Sequence, residues 1–197
     1  MRQTIKNRAL KCIDEVYPGD NSVNRLHFPL EDFLDEAGRR IVRAVPIHAL
    51  GEGSDMSDAR LALRPDGSGV IFLPTGFVRL IRLRMGGWHR PVTMPIRADH
   101  PLYRRQFNHV TRGGTVKPVA ALIDGDTQLE YFSVPVGQPH RIEEGRYFGF
   151  SCIDDTYPAN LVDVTAWQLA ALVLSSMNDV NGANTCQNKV NEYIALL

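Results

Sequence analysis

Between Leu161 and Met177 the residues LVDVTAWQLAALVLSSM place apolar or small side chains at nearly every angle around a helix, interrupted only by Asp163, Thr165, Gln168 and two serines. A surface helix confines its apolar residues to one stripe, so a helix that is apolar on nearly all sides has to be enclosed by protein, its own or another copy's. The interruptions also leave it short of the roughly 18 uninterrupted apolar residues of a membrane span. It is read as the central helix of the fold, and the rest of the chain has to cover it.

Three other segments have helical spacing. Ile5, Ala9, Cys12, Ile13 and Val16 define a short amphipathic helix, which the turn formers Tyr17-Pro18-Gly19-Asp20-Asn21 stop. A second helix starts at Pro29, with Glu31 and Asp32 in its first turn and Leu30, Phe33, Leu34, Ala37, Ile41 and Ala44 as its apolar stripe. Arg39, Arg40 and Arg43 crowd its last turns, where cations meet the negative helix end, a structural placement rather than a binding site. Asn181-Gly182 is expected to break the central helix, and Ala183, Cys186, Val190, Ile194 and Leu197 form the stripe of a last helix.

In the middle of the chain the period changes from 3.6 to 2. Residues 51–69 read as a loop with one short strand near Arg60-Leu61-Ala62-Leu63, and Val70-Ile71-Phe72-Leu73 reads as a strand followed by the turn Pro74-Thr75-Gly76. Phe77 to Met85 alternates, with Ile81, Leu83 and Met85 on one face and Arg82 and Arg84 on the other. Gly86-Gly87 then predicts a two-residue hairpin turn, with Trp88 to Met94 as the returning strand. A second hairpin is expected from Val116 to Ile123 and Thr127 to Val134 around Asp124-Gly125-Asp126, and residues 99–107 between the hairpins read as a loop or single helical turn. The fold class is α+β: two N-terminal and two C-terminal helices in one domain spanning 1–197, with an inserted antiparallel β-hairpin region at 65–135.

The chain has 22 Lys and Arg against 22 Asp and Glu, and this neutrality hides a partition. From Arg79 to Lys117 there are nine basic residues and one acid, Asp99, a balance of +8; from Leu122 to Asp163 there are eight acids and two arginines, a balance of −6. Opposite poles on one chain suit head-to-tail contact between copies, and equally suit two solvated faces of a monomer. With 44% hydrophobic residues the chain is globular rather than disordered. Met1 to Lys6 does not lead into a signal-peptide apolar core, so secretion by that route is not expected. Cys12, Cys152 and Cys186 are widely spaced and odd in number, which fits buried thiols better than a disulfide framework or a zinc pattern.

Catalytic patterns are absent from the sequence. Gly51-Glu52-Gly53-Ser54-Asp55-Met56 lacks the third glycine of a dinucleotide loop and its strand and helix context, and there is no Walker A, HExxH or GxSxG sequence. His100, His109 and Cys152 are scattered, and the acid pairs Glu143-Glu144 and Asp154-Asp155 read as solvated loop turns. The expectation is a protein that is not an enzyme and holds no metal or cofactor.

The order of these features resembles the head-to-tail connector, or adaptor, proteins of tailed bacteriophages. The resemblance lies in the short N-terminal helix, the helix Phe28-Pro29-Leu30-Glu31-Asp32-Phe33-Leu34-Asp35-Glu36-Ala37, the strands 73–80 and 87–92, and the segment 160–170. The β insertion and last helix look most like the ring proteins below the portal of short-tailed, crAss-like phages. The resemblance implies a structural virion protein, made in the host bacterial cytoplasm. About twelve copies would form a homo-oligomeric ring at the head-tail junction, joining the portal protein to tail or other ring proteins. The ring would extend a channel through which DNA passes without sequence-specific binding, and no membrane would be involved. Candidate partner-facing residues are Arg82, Arg84, Trp88, Arg90, Arg104, Arg105, Glu143, Glu144, Asp154 and Asp155, with Trp88 as an anchor at a hairpin tip, because Trp and Arg dominate interface energetics. The alternative is a nucleic-acid-binding module that uses the basic segment 79–117, with Trp88, His89, Tyr103 and Phe107 for stacking.

Overall fold

The computed structural model describes residues 1–18, 28–135, 137–149, 153 and 157–197. Its helices are α1 (Arg2–Val16), α2 (Leu30–Ala44), the short α3 (Pro101–Arg105), α4 (Val162–Ser176) and α5 (Val180–Leu196). Its strands are β1 (Ser54–Asp55), β2 (Leu61–Leu63), β3 (Gly69–Phe72), β4 (Phe77–Met85), β5 (Ile96–Arg97), β6 (Ala120–Ile123), β7 (Gln128–Tyr131) and β8 (Ile142–Gly149). The chain is mixed α+β and forms two compact units, one of residues Met1–Gly51 and Phe150–Leu197, the other of Glu52–Gly149.

In the helical unit α4 packs against α1, α2 and α5 and buries eleven of its fifteen residues. Its central position follows from its composition, since a helix without a polar face gains most from contact on all sides. The polar residues that interrupt it are accommodated: Thr165 shares a 2.6 Å hydrogen bond with Tyr157, and Gln168 reaches Gln187 of α5 at 3.3 Å. The covering helix α1 buries Ile5, Ala9, Cys12 and Ile13, as its spacing predicts, and Arg2 and Lys6 pair with Glu31 and Asp35 of α2. On α2 the stripe shifts slightly, because Gly38 and Val42 are buried where Phe33 and Ala44 were expected. Gly38 lies so close to Ile153 that an added Cβ would meet its Cδ1 at 2.6 Å.

The break after α4 falls three residues before Asn181-Gly182. Asn178 adopts a positive φ of 63°, and Asp179 then caps α5 by accepting a hydrogen bond from Gly182 N–H at 3.0 Å. An asparagine supplies the left-handed residue at a helix end and an aspartate the next N-cap, which leaves Gly182 free for the first turn of α5. There it is buried against Tyr17 and Asp179, which hydrogen-bond to each other.

The second unit holds a three-stranded antiparallel sheet in the order β1-β8-β4 and a five-stranded mixed sheet in the order β2-β3-β7-β6-β5. Strands lie on both sides of 65–135, since β1, β2 and β8 fall outside that range. The mixed character comes from β5, which pairs parallel with β6 where only antiparallel pairing was expected. One core joins the two sheets, built from Ile71, Leu80, Leu83, Met85, Trp88, Leu129, Tyr131, Ile142 and their neighbours.

The hairpin at Asp124-Gly125-Asp126 forms as expected, all three residues having positive φ, but its strands are short: β6 begins at Ala120 and β7 ends at Tyr131. The hairpin at Gly86-Gly87 does not form. A turn is present, with Trp88 N–H donating to Met85 O at 3.0 Å, yet residues 88–94 meet β4 at a single bridge between Leu83 and Val92. Pro91 and Pro95 lack the N–H groups a returning strand would need, and the long partner of β4 is β8 instead.

Candidate interaction surface

The charged residues on β4 and β8 meet inside the chain. Antiparallel pairing sets Arg84 opposite Glu144, and the side chains form a ladder in which Arg82 lies 2.8 Å from Glu144, Arg84 lies 3.4 Å from Glu143, and Arg141 lies 3.7 Å from Glu143. The acid pair Glu143-Glu144 therefore belongs to a strand and not to a solvated loop. Elsewhere Arg97 pairs with Asp126 at 2.9 Å and Arg112 with Asp66 at 3.8 Å. Part of the contrast between the basic and acidic segments is thus closed within one unit. Asp154 and Asp155 lie outside the described residues.

Trp88 is 2% exposed and belongs to the core of the β unit, so it covers its own sheets and is not offered at a tip. The turn that carries it cannot project, because Gly86 and Gly87 lie against Pro139 and Pro135. Its indole Nε1–H has no hydrogen-bond partner among the described residues.

Residues 100–117 are different. They hold Arg104, Arg105, Arg112 and Lys117 and no carboxylate, and of these cations only Arg112 has an ion-pair partner among the described residues. Arg90, ten residues before the segment starts, is also exposed and has no ion-pair partner among the described residues. The segment is a compact cluster of turns. It starts at His100, whose Nδ1 accepts from Leu102 N–H at 3.1 Å, and continues through α3 into successive turns at Arg105 and Asn108. Pro101 at the first helical position suits this start, and Gly113-Gly114 follows the last of these turns.

A buried network fastens the cluster to the five-stranded sheet. Glu130 of β7 is 1% exposed; it accepts a 2.7 Å hydrogen bond from Tyr103 O–H and pairs with Arg64. Burial, together with the hydrogen bond to Glu130, pushes the Tyr103 hydroxyl up to about 12. Gln106 is buried, donates to Leu102 O at 2.9 Å and accepts from Gly113 N–H at 3.0 Å, while Ser133 donates to Gly113 O. Phe107 stands edge-on to Tyr103 and to the buried Phe132, with ring centroids 5.2 and 5.8 Å away. It nevertheless remains 61% exposed, and Val110 is 77% exposed. A buried, paired acid here holds an exposed cationic and apolar turn cluster in one shape.

The network was missed by sequence reasoning, although a signal was present. Glu130 sits between Leu129 and Tyr131 in an apolar strand, and an acid at such a position needs partners brought from elsewhere. Arg64 and Tyr103, which are 66 and 27 residues away, supply them.

No group of three or more His, Cys, Asp or Glu side chains comes together in metal-binding geometry among the described residues. Arg8, Lys11, Cys12, Glu15, Asp163, Trp167 and Tyr193 line a cleft of about 360 Å³ in the helical unit, and Arg8 and Asp163 pair across it. Burial pushes the Cys12 and Cys186 thiols up to about 12, which removes the thiolate character a nucleophile needs. No described helix is long and apolar enough to cross a membrane. No protein-family model matches the chain, and no curated protein matches its sequence.

Proposed function

We propose that this protein is a structural, non-enzymatic subunit of a tailed-phage virion. It would form a ring at the head-tail junction that joins the portal to the tail and continues the DNA channel. The observation that carries the reading is the order of elements along the chain. Two helices, a β-rich stretch and two further helices follow one another, with the apolar α4 covered by the other three long helices. A helical unit of this kind is a rigid platform, and the β unit presents turns around a well-packed core, a division of labour that suits assembly more than chemistry. Finer features of the reading, the copy number of about twelve and the contacts with portal and tail proteins, come from the resemblance.

The test is direct. Mass spectrometry of purified particles should detect the protein at a copy number comparable to the portal's, and electron microscopy of intact virions should place it at the neck. Particles that are complete and infectious without it, or its confinement to infected-cell lysate, would sink the reading.

A further inference from the structure

We propose that the turn cluster 100–117 is a docking surface for a second copy of this chain, which seats its acidic strip 52–58 there. Once the pairs made within the chain are set aside, five exposed cations of the β unit keep no ion-pair partner among the described residues: Arg60, whose guanidinium lies over the Phe72 ring, and Arg90, Arg104, Arg105 and Lys117. Three of them lie in the cluster beside the exposed apolar side chains of Leu102, Phe107, Val110 and Val116. Arginine around exposed aromatic and aliphatic groups is the composition of a protein interface.

The complement lies on the same unit. Residues 52–58 carry Glu52, Asp55 and Asp58 and no cation, and every residue except Met56 is exposed. Asp55 is engaged by Ser57 and faces Arg146 across the strand pair, and Glu52 and Asp58 have no ion-pair partner among the described residues. The strip includes β1, an edge strand of its sheet. No ion pair joins the strip to the cluster within the chain, so both faces are free at once for two different neighbours, the requirement of a head-to-tail contact.

The cluster is also preorganised. Its attachments through Glu130, Gln106 and Ser133 fix its shape before docking, so little conformational entropy remains to be lost. Nucleic acid fits less well: phosphate-binding faces are polar, whereas aliphatic side chains intersperse these cations, and the exposed Phe107 ring already stands against Tyr103 and Phe132. The choice of a second copy over another acidic protein rests on the ring reading above.

Sedimentation of the purified full chain tests the proposal. Wild type should self-associate at low salt, and high salt should weaken the association about tenfold or more. The double variants R104E/R105E and E52K/D58K alter exposed, unpaired side chains, so each should keep the wild-type melting temperature and sediment as a monomer. Mixed in equal amounts, they should associate again, because the intact cluster of one meets the intact strip of the other and the two reversed faces are themselves complementary in charge. Wild type that stays monomeric at every concentration and salt, either variant assembling like wild type, or a mixture that does not associate overturns the proposal. So does binding of a labelled oligonucleotide that R104E/R105E abolishes while wild type shows no self-association. The ring reading fails separately: a chain monomeric in solution yet present at the virion neck removes the docking surface alone, whereas a chain that associates as described but is absent from particles removes the ring.

Discussion

Glu130 shows how much one side chain can organise. Its carboxylate is buried in β7, and Tyr103 and Arg64 reach it from α3 and from beyond β2. A buried charge is tolerated only when paired and hydrogen-bonded, so removing either partner leaves a costly remainder. Tyr103→Phe should lower stability by about 1–3 kcal/mol in urea unfolding, and a double-mutant cycle with Glu130→Gln should show strong coupling. Additive losses would mean that the two do not act together. The thiols of Cys12 and Cys186 carry a second prediction. Both are raised from 9.0 to about 12 by burial, so the folded state holds protons that the unfolded state releases. Their contribution is fully present below pH 9 and is lost as pH rises toward 12, at up to about 1.4 kcal/mol per pH unit for each thiol. In a Cys152→Ser background both should resist a thiol reagent until the protein unfolds, and the urea midpoint should fall as pH rises above 9. Rapid labelling of the folded protein would contradict the burial.

Among the elements, α4 carries the helical unit. Leu169 is fully buried, and Leu169→Ala should cost about 2–5 kcal/mol, the range for a large-to-small change in a core. A loss below about 1 kcal/mol would show that the surroundings of α4 collapse easily. For the pair β4 and β8 the expectation changes with the structure. On charge alone, reversing Arg82, Arg84 and Arg90 to Glu would disturb only contacts between copies. Because Arg82 and Arg84 face Glu143 and Glu144, the reversal sets like charges across a strand pair and should also lower the melting temperature. Adding Glu143→Arg and Glu144→Arg should restore it, whereas Arg90→Glu alone should leave it unchanged. A triple variant as stable as wild type would show that the ladder is too exposed to matter, as many surface pairs are.

At the scale of the whole molecule, neutrality turns out to be partly local. Within the β unit Arg82 and Arg84 meet Glu143 and Glu144, and Arg97 meets Asp126, so part of the +8 and −6 counted along the chain is closed between neighbouring strands and turns. In the β unit Arg90, Arg104, Arg105 and Lys117, and on the acidic side Glu52 and Asp58, are among the exposed charges that keep no ion-pair partner among the described residues. Under the ring reading, reversing the exposed set Arg104 and Arg105 should reduce incorporation into particles more than Arg90→Glu does, as counted by mass spectrometry of virions. Equal incorporation of both variants would place the contacts between neighbours elsewhere.

The amino-acid pattern by itself determined the helices and the fold class. Periods of 3.6 and 2 are local properties, and an all-apolar circumference at 161–177 left no place for that helix except the interior. Proline, glycine and asparagine marked the turns, yet their exact use was decided by neighbours: Asn178, not Asn181-Gly182, ends α4, because Asp179 was there to cap the next helix. Which strands pair was a tertiary decision. The nearest candidate for β4 was the segment after Gly86-Gly87, but Pro91 interrupts its N–H groups in the middle and Pro95 closes it, and β8, 57 residues farther along from the end of β4 to its own start, pairs along the length of β4 with Arg84 opposite Glu144. The β8 residues hid from sequence reading because Glu143, Glu144 and Arg146 look solvated until Arg82 and Arg84 stand opposite them. The fate of Trp88 and the partners of Glu130 were hidden for the same reason: burial and pairing are properties of residues brought together from distant positions, and no local period records them.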